Sequence, residues 1–389
     1  MDMSKSTRQE KTMTDRPYKG DVKEVRQVAE IPCPVVDEDS CDPWQPPPFP
    51  GPYDRIWQPA LAQWSKEQLL VVYGGQLEGK SDMGDMMCSV STDDGDTWSY
   101  PVTVFDHRER FGAMQFGYAN PVLYHPPGQN VVWLYAMRCP LQYTDSADSH
   151  LCAAYTADGG RSWVPVELTM RHHRPLITCA GIVRCDNGNE VRYLLPVHAN
   201  PMGHAPKCDA NHWVLESSNL LVWKLAGYIP DDEDKLVFPH EGNIDFGQDD
   251  QELKIVMRTG QYRELWKAID PPTAYSSCSR DGGRTWSAVQ PEPELHNTVS
   301  KAFYGRDSHG KHVYVFNPGP AWERESLHYK IQTPDGKWGE ERVFYNGHNR
   351  NSYPILIEKE PGVFYAAWDS SNHPNLLRTS IRFGKLTVA

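Results

Sequence analysis

The sequence lacks the motifs of several cofactor-dependent protein classes. Its nine cysteines include no Cys-x-x-Cys pair, which argues against a zinc site of the usual spacing. It contains no GxGxxG and no GxxxxGK[ST] motif, so a nucleotide cofactor is not expected. The histidines show no diagnostic metal-ligand spacing. We therefore predict no cofactor and no metal site.

Other absences limit the compartment and the partners. No window approaches the ~20 apolar residues of a membrane span, and the N-terminus, MDMSKSTRQEKTMTDRPYKG, has no apolar core for a signal peptide. The odd number of scattered cysteines favours free thiols in a reducing compartment. A net charge of -12 leaves no basic excess to neutralise phosphates. These features predict a cytoplasmic protein with no nucleic-acid partner and no membrane partner.

An eight-residue motif occurs three times and organises the chain. Its copies begin at Ser91, Thr156 and Ser279, and each reads Ser/Thr-x-Asp-x-Gly-x-Ser/Thr-Trp. The Asp carboxylate can accept hydrogen bonds from backbone N–H groups of its own turn, and Gly supplies a position with φ > 0. The Trp can pack back under the loop. The motif therefore predicts a repeated hairpin turn, which we call the Asp-box.

Short runs of β-branched and aromatic residues separate the boxes, at 69–73, 131–135, 192–197, 253–257, 312–316 and 364–368. Two degraded boxes fill the gaps, one with Ser218 where Asp is expected and one at Asp335. The successive spacings are then 65, 60, 63 and 54 residues. This period indicates radial repetition. We predict an all-β, six-bladed β-propeller over 46–389, with five or seven blades left open, and a disordered or extended tail over 1–45.

The boxes resemble the Asp-boxes of the sialidase (neuraminidase) superfamily, and the similarity continues between them. The stretch 74–85, just before the first box, is similar to the family segment that carries the acid/base Asp. Segments 120–124, 240–244 with 256–259, and 351–356 fall in the expected blades. The resemblance covers roughly residues 53–383 and implies a propeller fold and a glycosidase activity.

The resemblance also implies roles for five residues at matching positions. Asp82 takes the place of the acid/base Asp. Glu241 and Arg258, 17 residues apart, match the Glu and the second Arg of the family. Arg324 and Tyr353, 29 residues apart, match its third Arg and its Tyr. The implied roles are Tyr353 as nucleophile, Glu241 as its base, Asp82 as acid/base, and Arg258 and Arg324 as a carboxylate clamp.

The first Arg of the family pattern has two candidate positions in this chain. The family has Arg-Ile-Pro at the start of its first strand, whereas this chain reads Arg-Ile-Trp-Gln-Pro from residue 55. Alignment on the proline places Trp57 at the Arg position, and alignment on Arg-Ile keeps Arg55 and requires a bulge. Arg55, Trp57 and also His240, which precedes Glu241, are therefore predicted substrate-binding residues.

The implied residue types suit an acidic sugar. Arg binds carboxylates bidentately and stays charged. A neutral Tyr hydroxyl suits a crowded anomeric carbon that already bears a carboxylate, and a Tyr nucleophile is the known exception among glycosidases. A carboxylic acid must protonate the leaving oxygen. The leading prediction is an exo-glycosidase that releases a terminal acidic sugar, such as sialic acid, from a carbohydrate partner.

Two other functions stay open. A polysaccharide lyase on the same scaffold would abstract a proton next to a uronate carboxylate. The middle of the chain supplies candidate bases for that step: His172, His173, His198, His204, His212 and His240. The third possibility is a non-catalytic propeller that binds a glycan or a protein. Trp57 at the first Arg position favours these two alternatives over a hydrolase.

Overall fold

The structure, a computed structural model, describes most of the chain. The described residues are 18–30, 53–142, 149–171, 176–186, 188–198, 212–231, 237–261, 267–320, 323–371 and 379–388. They form 27 β-strands and no α-helix, so none of their segments is a helix that could cross a membrane. The predicted all-β class is confirmed.

The strands of the described residues form five sheets. The first is nine-stranded: β2 (Tyr53–Gln63), β3 (Leu69–Leu77), β4 (Gly84–Ser91), β5 (Val102–Phe105), β6 (Arg110–Phe111), β7 (Met114–Tyr124), β8 (Val132–Pro140), β9 (His150–Thr156) and β10 (Val164–Val166). The second is six-stranded: β11 (Thr169–Arg171), β12 (Ile177–Thr178), β13 (Val183–Asp186), β14 (Val191–His198), β15 (His212–Ser217) and β16 (Val222–Ile229).

The other three sheets have four strands each. The third contains β17 (Val237–Phe246), β18 (Leu253–Gln261), β19 (Thr273–Ser279) and β20 (Gln290–His296). The fourth contains β21 (Phe303–Arg306), β22 (His312–Phe316), β23 (Leu327–Ile331) and β24 (Arg342–Tyr345). The fifth contains β25 (Arg350–Glu360), β26 (Val363–Ser371), β27 (Thr379–Thr387) and β1 (Lys23–Glu30). Most strands pair antiparallel with a neighbour in the chain, and the pairing of β11 with β16 is parallel, which gives a propeller-like arrangement as the sequence predicts.

The six apolar runs seen in the sequence all form β-strands, namely β3, β8, β14, β18, β22 and β26. All five residues of β22 are buried, as are the first seven of β3. These strands are covered on both faces, because hydrophobic clusters fill the space between neighbouring sheets. Burial on both faces explains why they read as continuous apolar runs rather than as alternating patterns.

The Asp-box turns have the predicted structure. In the first box, the backbone N–H and the hydroxyl of Thr97 donate to the carboxylate of Asp93, at 2.9 and 2.6 Å. The hydroxyl of Ser91 also donates to Asp93. Gly95 has φ of 92°, and the indole N–H of Trp98 donates to its carbonyl at 3.1 Å. The box is therefore a turn that its own side chains hold closed.

The other boxes repeat this network, with one correction to the sequence interpretation. Asp158 and Asp281 accept the same backbone and hydroxyl hydrogen bonds. In the degraded box before β16, Ser218 does not take the Asp position as predicted. Asn219 takes it, because its side-chain oxygen accepts the backbone N–H groups at positions 221 and 222, and Leu220 adopts φ of 66° where the other boxes have glycine.

The N-terminal boundary also differs from the prediction. Residues 23–30 fall in the predicted tail, yet they form β1, which pairs antiparallel with β27. Val22, just before this strand, is fully buried in the cluster that contains Trp368. Five of the eight residues of β1 are exposed, so its sequence carries little hydrophobic pattern, and it is the pairing with β27 that makes it a strand. The rest of the predicted tail lies outside the described residues, apart from positions 18–22.

Candidate active site

The three predicted catalytic residues share an unusual backbone conformation. Asp82, Glu241 and Tyr353 have φ of 56°, 48° and 51°. Such values are uncommon for residues other than glycine, and strained positions of this kind concentrate at functional sites. Glu241 and Tyr353 both lie in β-bulges of long strands, β17 and β25, where the pairing register shifts. A bulge redirects the side chain relative to a regular strand.

Asp82 lies in the loop between β3 and β4 and faces Arg55. A guanidinium nitrogen of Arg55 is 3.4 Å from the carboxylate of Asp82, and Arg55 also donates two hydrogen bonds to the side-chain oxygen of Gln76. Although 38% of the Asp82 side chain is exposed, the protein around it removes much of its hydration. This burial raises the pKa of Asp82, and the charge of Arg55 opposes the rise.

Tyr353 is enclosed by an aromatic ring and a cation. The edge of its ring meets Trp57 at a centroid distance of 5.6 Å and an angle of 82°. The guanidinium carbon of Arg324 lies 5.0 Å from the centre of the Tyr353 ring, and that of Arg55 lies 3.6 Å from the centre of Trp57. Within the described part of the chain, no residue forms a hydrogen bond with the Tyr353 hydroxyl, which is therefore available to a ligand.

Glu241 forms an ion pair with Arg258 on the neighbouring strand β18. Their side chains are only 10% and 6% exposed. Burial is the largest influence on Glu241 and opposes its ionisation, but Arg258 together with smaller contributions from groups such as Lys301 outweighs it and lowers the pKa of Glu241 to about 2. The carboxylate of Glu241, the predicted base of Tyr353, is thus held by Arg258 in this structure, and its role as a base stays a prediction. Arg258 is electrostatically coupled to both Tyr353 and Asp82, so these predicted residues do lie at one site.

Gln58 is a site residue that the sequence interpretation missed. The pairing register of β2 shifts between Trp57 and position 60, so Gln58 occupies the bulge position that Glu241 and Tyr353 occupy in their strands. Its side-chain oxygen accepts a hydrogen bond from the backbone N–H of Asn120, the bulge residue of β7, at 3.0 Å. Arg55 and Trp57, the predicted substrate-binding residues of this strand, precede the bulge, and their roles stay predictions. An X-Pro dipeptide followed by two apolar residues marks three of these bulges, and it was the available signal.

Of the predicted histidines, the structure describes His198, His212 and His240, which form a buried group beside Glu241. His198, His212 and His240 are at most 4% exposed, and the ring of His198 lies 5.7 Å from that of His240. Burial keeps the pKa values of His212 and His240 well below the usual range, so both are neutral. The backbone N–H of Gly242 donates to His212. His172, His173 and His204 lie outside the described residues.

One group of described residues has three potential metal ligands close together, namely Asp85, Asp106 and His107. Their donor atoms are already used within the protein. The carboxylate of Asp85 accepts the hydroxyl of Tyr53 and both the backbone and the ring N–H of His107, and Asp106 binds Arg108. The group is therefore a hydrogen-bond network that supports the loop after β5.

The chain matches the family model described as BNR repeat-like domain over residues 61–366. No curated protein matches it significantly. Its fold is similar to that of a protein of unknown function from Dyadobacter fermentans, with a TM-score of 0.63 at 15% identity over 94% of this chain and 100% of that one.

Two sialidase structures show the same fold. The NanB sialidase of Streptococcus pneumoniae has a TM-score of 0.63 at 12% identity, over 87% of this chain and 69% of that one. The intramolecular trans-sialidase of Ruminococcus gnavus has a TM-score of 0.63 at 14% identity, over 86% of this chain and 95% of that one. At identities this low, the structural matches show similarity of the fold alone. The family model, in contrast, matches well over half of the chain. The chain therefore belongs to the BNR repeat-like domain family.

Proposed function

We propose that the protein is an exo-glycosidase that removes a terminal acidic sugar, such as sialic acid, from a glycan. The observation that carries this proposal is the environment of Tyr353. Its ring is held by Trp57 and Arg324, and its hydroxyl binds no described residue. The similarity of the fold to sialidases supports the choice of sugar.

Tyr353 is the proposed nucleophile. Its oxygen attacks the anomeric carbon while the bond to the leaving oxygen breaks, which gives a covalent glycosyl–tyrosine intermediate. The proton of the hydroxyl must leave in this step. The cations Arg258 and Arg324 stabilise the negative charge that develops on the phenolic oxygen. The same two arginines also bind the carboxylate of the sugar, which is negatively charged like the phenolic oxygen.

Asp82 is the proposed general acid and base. It donates its proton to the leaving oxygen, and then takes a proton from the water that attacks the intermediate and releases Tyr353. Two inversions at the same carbon retain its configuration. The raised pKa of Asp82 suits this role, because it increases the protonated fraction of the carboxyl near neutral pH.

Glu241 is the proposed acceptor of the Tyr353 proton, once substrate has bound. With a pKa of about 2 it is a weak base while Arg258 holds it. A substrate carboxylate that binds Arg258 competes for the guanidinium and weakens this ion pair. The pKa of Glu241 then rises towards its ordinary value, and the carboxylate can accept a proton. Binding of the correct anionic sugar thus prepares the base.

We also infer that the propeller has six blades. The nine-stranded sheet consists of two units, β2–β5 and β6–β10. A single residue pair, Gly84 with Tyr118, connects them. Six segments of the chain line a cavity of about 400 Å³, namely 59–63, 121–125, 180–183, 243–245, 303–306 and 355–358. Six segments around one cavity are what six blades around one axis would give.

The direct test is an end-product assay with the Tyr353→Phe variant. Purified protein is incubated with sialylated and uronate-containing oligosaccharides, and the products are identified by mass. We expect the wild type to release a free sialic acid and Tyr353→Phe to lose at least 1,000-fold in kcat, on the order of the loss when a covalent nucleophile is removed. Tyr155→Phe is the matched control, because Tyr155 packs against Trp133 in β9 and lies outside the site.

Other products would refute the proposal. An unsaturated uronate, lighter by one water than the hydrolysis product, would identify a lyase. The absence of any product, with glycan binding retained, would identify a binding propeller. A Tyr353→Phe variant as active as the Tyr155→Phe control would exclude Tyr353 as the nucleophile even if sialic acid were released.

A further inference from the structure

A fourth arginine lies beside Tyr353. Arg350 is the first residue of β25, three positions before the bulge at Tyr353, and it pairs with Ser371 on β26. Its side chain is only partly exposed. Within the parts of the chain that the structure describes, it makes no hydrogen bond and no ion pair. A guanidinium has five donors, so a partly buried one that binds none of the described residues can donate to an acceptor on a ligand.

The neighbouring strand places a carboxylate next to Arg350. Asp369 on β26 pairs with Ser352 and is 2% exposed. The hydroxyl of Ser352 donates to one of its carboxylate oxygens at 2.9 Å, and the other oxygen is buried without a partner among the described residues. Burial raises the pKa of Asp369, and Arg350 is the largest influence that opposes the rise. Asp369 is thus positioned to fix Arg350 by its charge.

Positive charge exceeds negative charge around Tyr353. Burial lowers the pKa of Arg350 to about 10, and repulsion from Arg324 adds to the effect, so Arg350 stays protonated at neutral pH. Arg55 and Tyr353 also interact electrostatically with Arg350. Among the described residues, four guanidinium groups, of Arg55, Arg258, Arg324 and Arg350, and the amino group of Lys301 interact electrostatically with one or more of three carboxylates, of Asp82, Glu241 and Asp369. An anionic ligand would relieve the repulsion among these cations.

We propose that Arg350 is a substrate-binding residue, which Asp369 positions and which binds the carboxylate of the acidic sugar together with Arg324. This inference rests on the proposed function, and it names the residue that selects for the charge of the sugar. Asp369 is a positioning residue, since it acts through Arg350. A planar guanidinium can donate to both oxygens of a carboxylate and is attracted by its charge, which a neutral ester lacks.

The experiment compares two ligands, N-acetylneuraminic acid and its methyl ester, which differ in this charge and in one methyl group. Their dissociation constants are measured by ligand-observed NMR or calorimetry for the wild type and for Arg350→Gln. We expect Arg350→Gln to weaken binding of the acid by roughly 10- to 100-fold, which is the usual effect of one lost hydrogen bond to a charged group, and to weaken the ester less than threefold. Arg350→Lys should recover part of the loss, because it restores the charge without the planar geometry.

Controls separate the possible outcomes. Arg280→Gln, at an outer turn where the side chain is 61% exposed, should leave both ligands unchanged. Circular dichroism verifies the fold of each variant, and Asp369→Asn should weaken the acid selectively but less than Arg350→Gln. Equal losses for acid and ester, or no loss in Arg350→Gln, would overturn the role of Arg350 while leaving the proposed function intact. A wild type with no preference for the acid over the ester would overturn both.

Discussion

The buried ion pair between Glu241 and Arg258 should dominate the energetics of the site. The variant Glu241→Gln keeps the shape of the side chain and removes its charge, which leaves Arg258 buried at 6% exposure without a counter-ion. Breaking such a pair typically costs 3–5 kcal/mol. The lowering of the Glu241 pKa from 4.5 to about 2 gives a similar figure, about 3 kcal/mol at 1.36 kcal/mol per unit. We therefore expect Glu241→Gln to lower the free energy of unfolding by about 3 kcal/mol at pH 7.

Urea unfolding, followed by tryptophan fluorescence and circular dichroism, measures this loss. Arg258→Gln should cost a similar amount, and the double variant should cost clearly less than the sum, because the second change removes the charge that the first left unpaired. The control is the exposed pair of Arg280 with Asp249, for which Arg280→Gln should cost less than ~1 kcal/mol. Additive losses at Glu241 and Arg258, or losses as small as the control, would refute the argument.

The pH dependence gives an independent check on the same pair. The folded-state pKa of Glu241 is depressed, so its stabilisation is fully present above the unfolded-state pKa of 4.5 and is lost as the pH falls through about 2. The stability difference between the wild type and Glu241→Gln should thus be about 3 kcal/mol at pH 7 and shrink between pH 4.5 and pH 2. A difference that stays constant over this range would contradict the assignment of the low pKa to Glu241.

Two further predictions concern the scaffold, and both are measured by urea unfolding. Gly95→Ala should lower the free energy of unfolding by more than ~2 kcal/mol, because Gly95 has φ of 92° and a new Cβ would overlap the ring of Phe383. The control Gly112→Ala, with φ of 66° and no atom within 4 Å of the new Cβ, should lower it by about 1 kcal/mol. Equal losses in the two variants would argue against the overlap. Val22→Ala should lower the free energy of unfolding by about 2 kcal/mol, because Val22 is fully buried. The control Val102→Ala, at a position 37% exposed, should lower it by less than ~0.5 kcal/mol. Similar losses in the two variants would mean that the segment before β1 does not contribute to the core.

The sequence predicted the strands that are buried on both faces and missed those that are not. The runs 69–73 and 312–316 are continuous and apolar because neighbouring sheets cover both of their faces. The outer strands carry no such signal. β10 has three residues, none of them buried, and β1 is mostly exposed. Their strand conformation depends on hydrogen bonds to β9 and β27, which no local pattern encodes.

The same contrast holds for the candidate site. Glu241 and Arg258 could be predicted as neighbours because one hairpin, β17 to β18, brings them together. Gln58 was missed because its position depends on the bulge in β2, where the register against β3 shifts by one residue, and the sequence analysis considered a bulge only for the alignment that keeps Arg55. Arg350 could not be found from sequence, since its significance depends on Asp369, which only the pairing of β25 with β26 brings near.

The pairing of β1 with β27 affects how the protein can be made. The two strands join the beginning of the chain to its end, and Lys385 binds both Glu24 of β1 and Asp94 of the first Asp-box. At ribosomal rates of 5–20 residues per second, about 20 to 70 s separate the synthesis of Glu30 from that of Thr379. Throughout this interval β1 has no partner, because β27, which connects it to the fifth sheet, has not been made. A nascent chain therefore cannot close its ring before β27 has been synthesised, and a polypeptide that stops before β27 leaves the ring open.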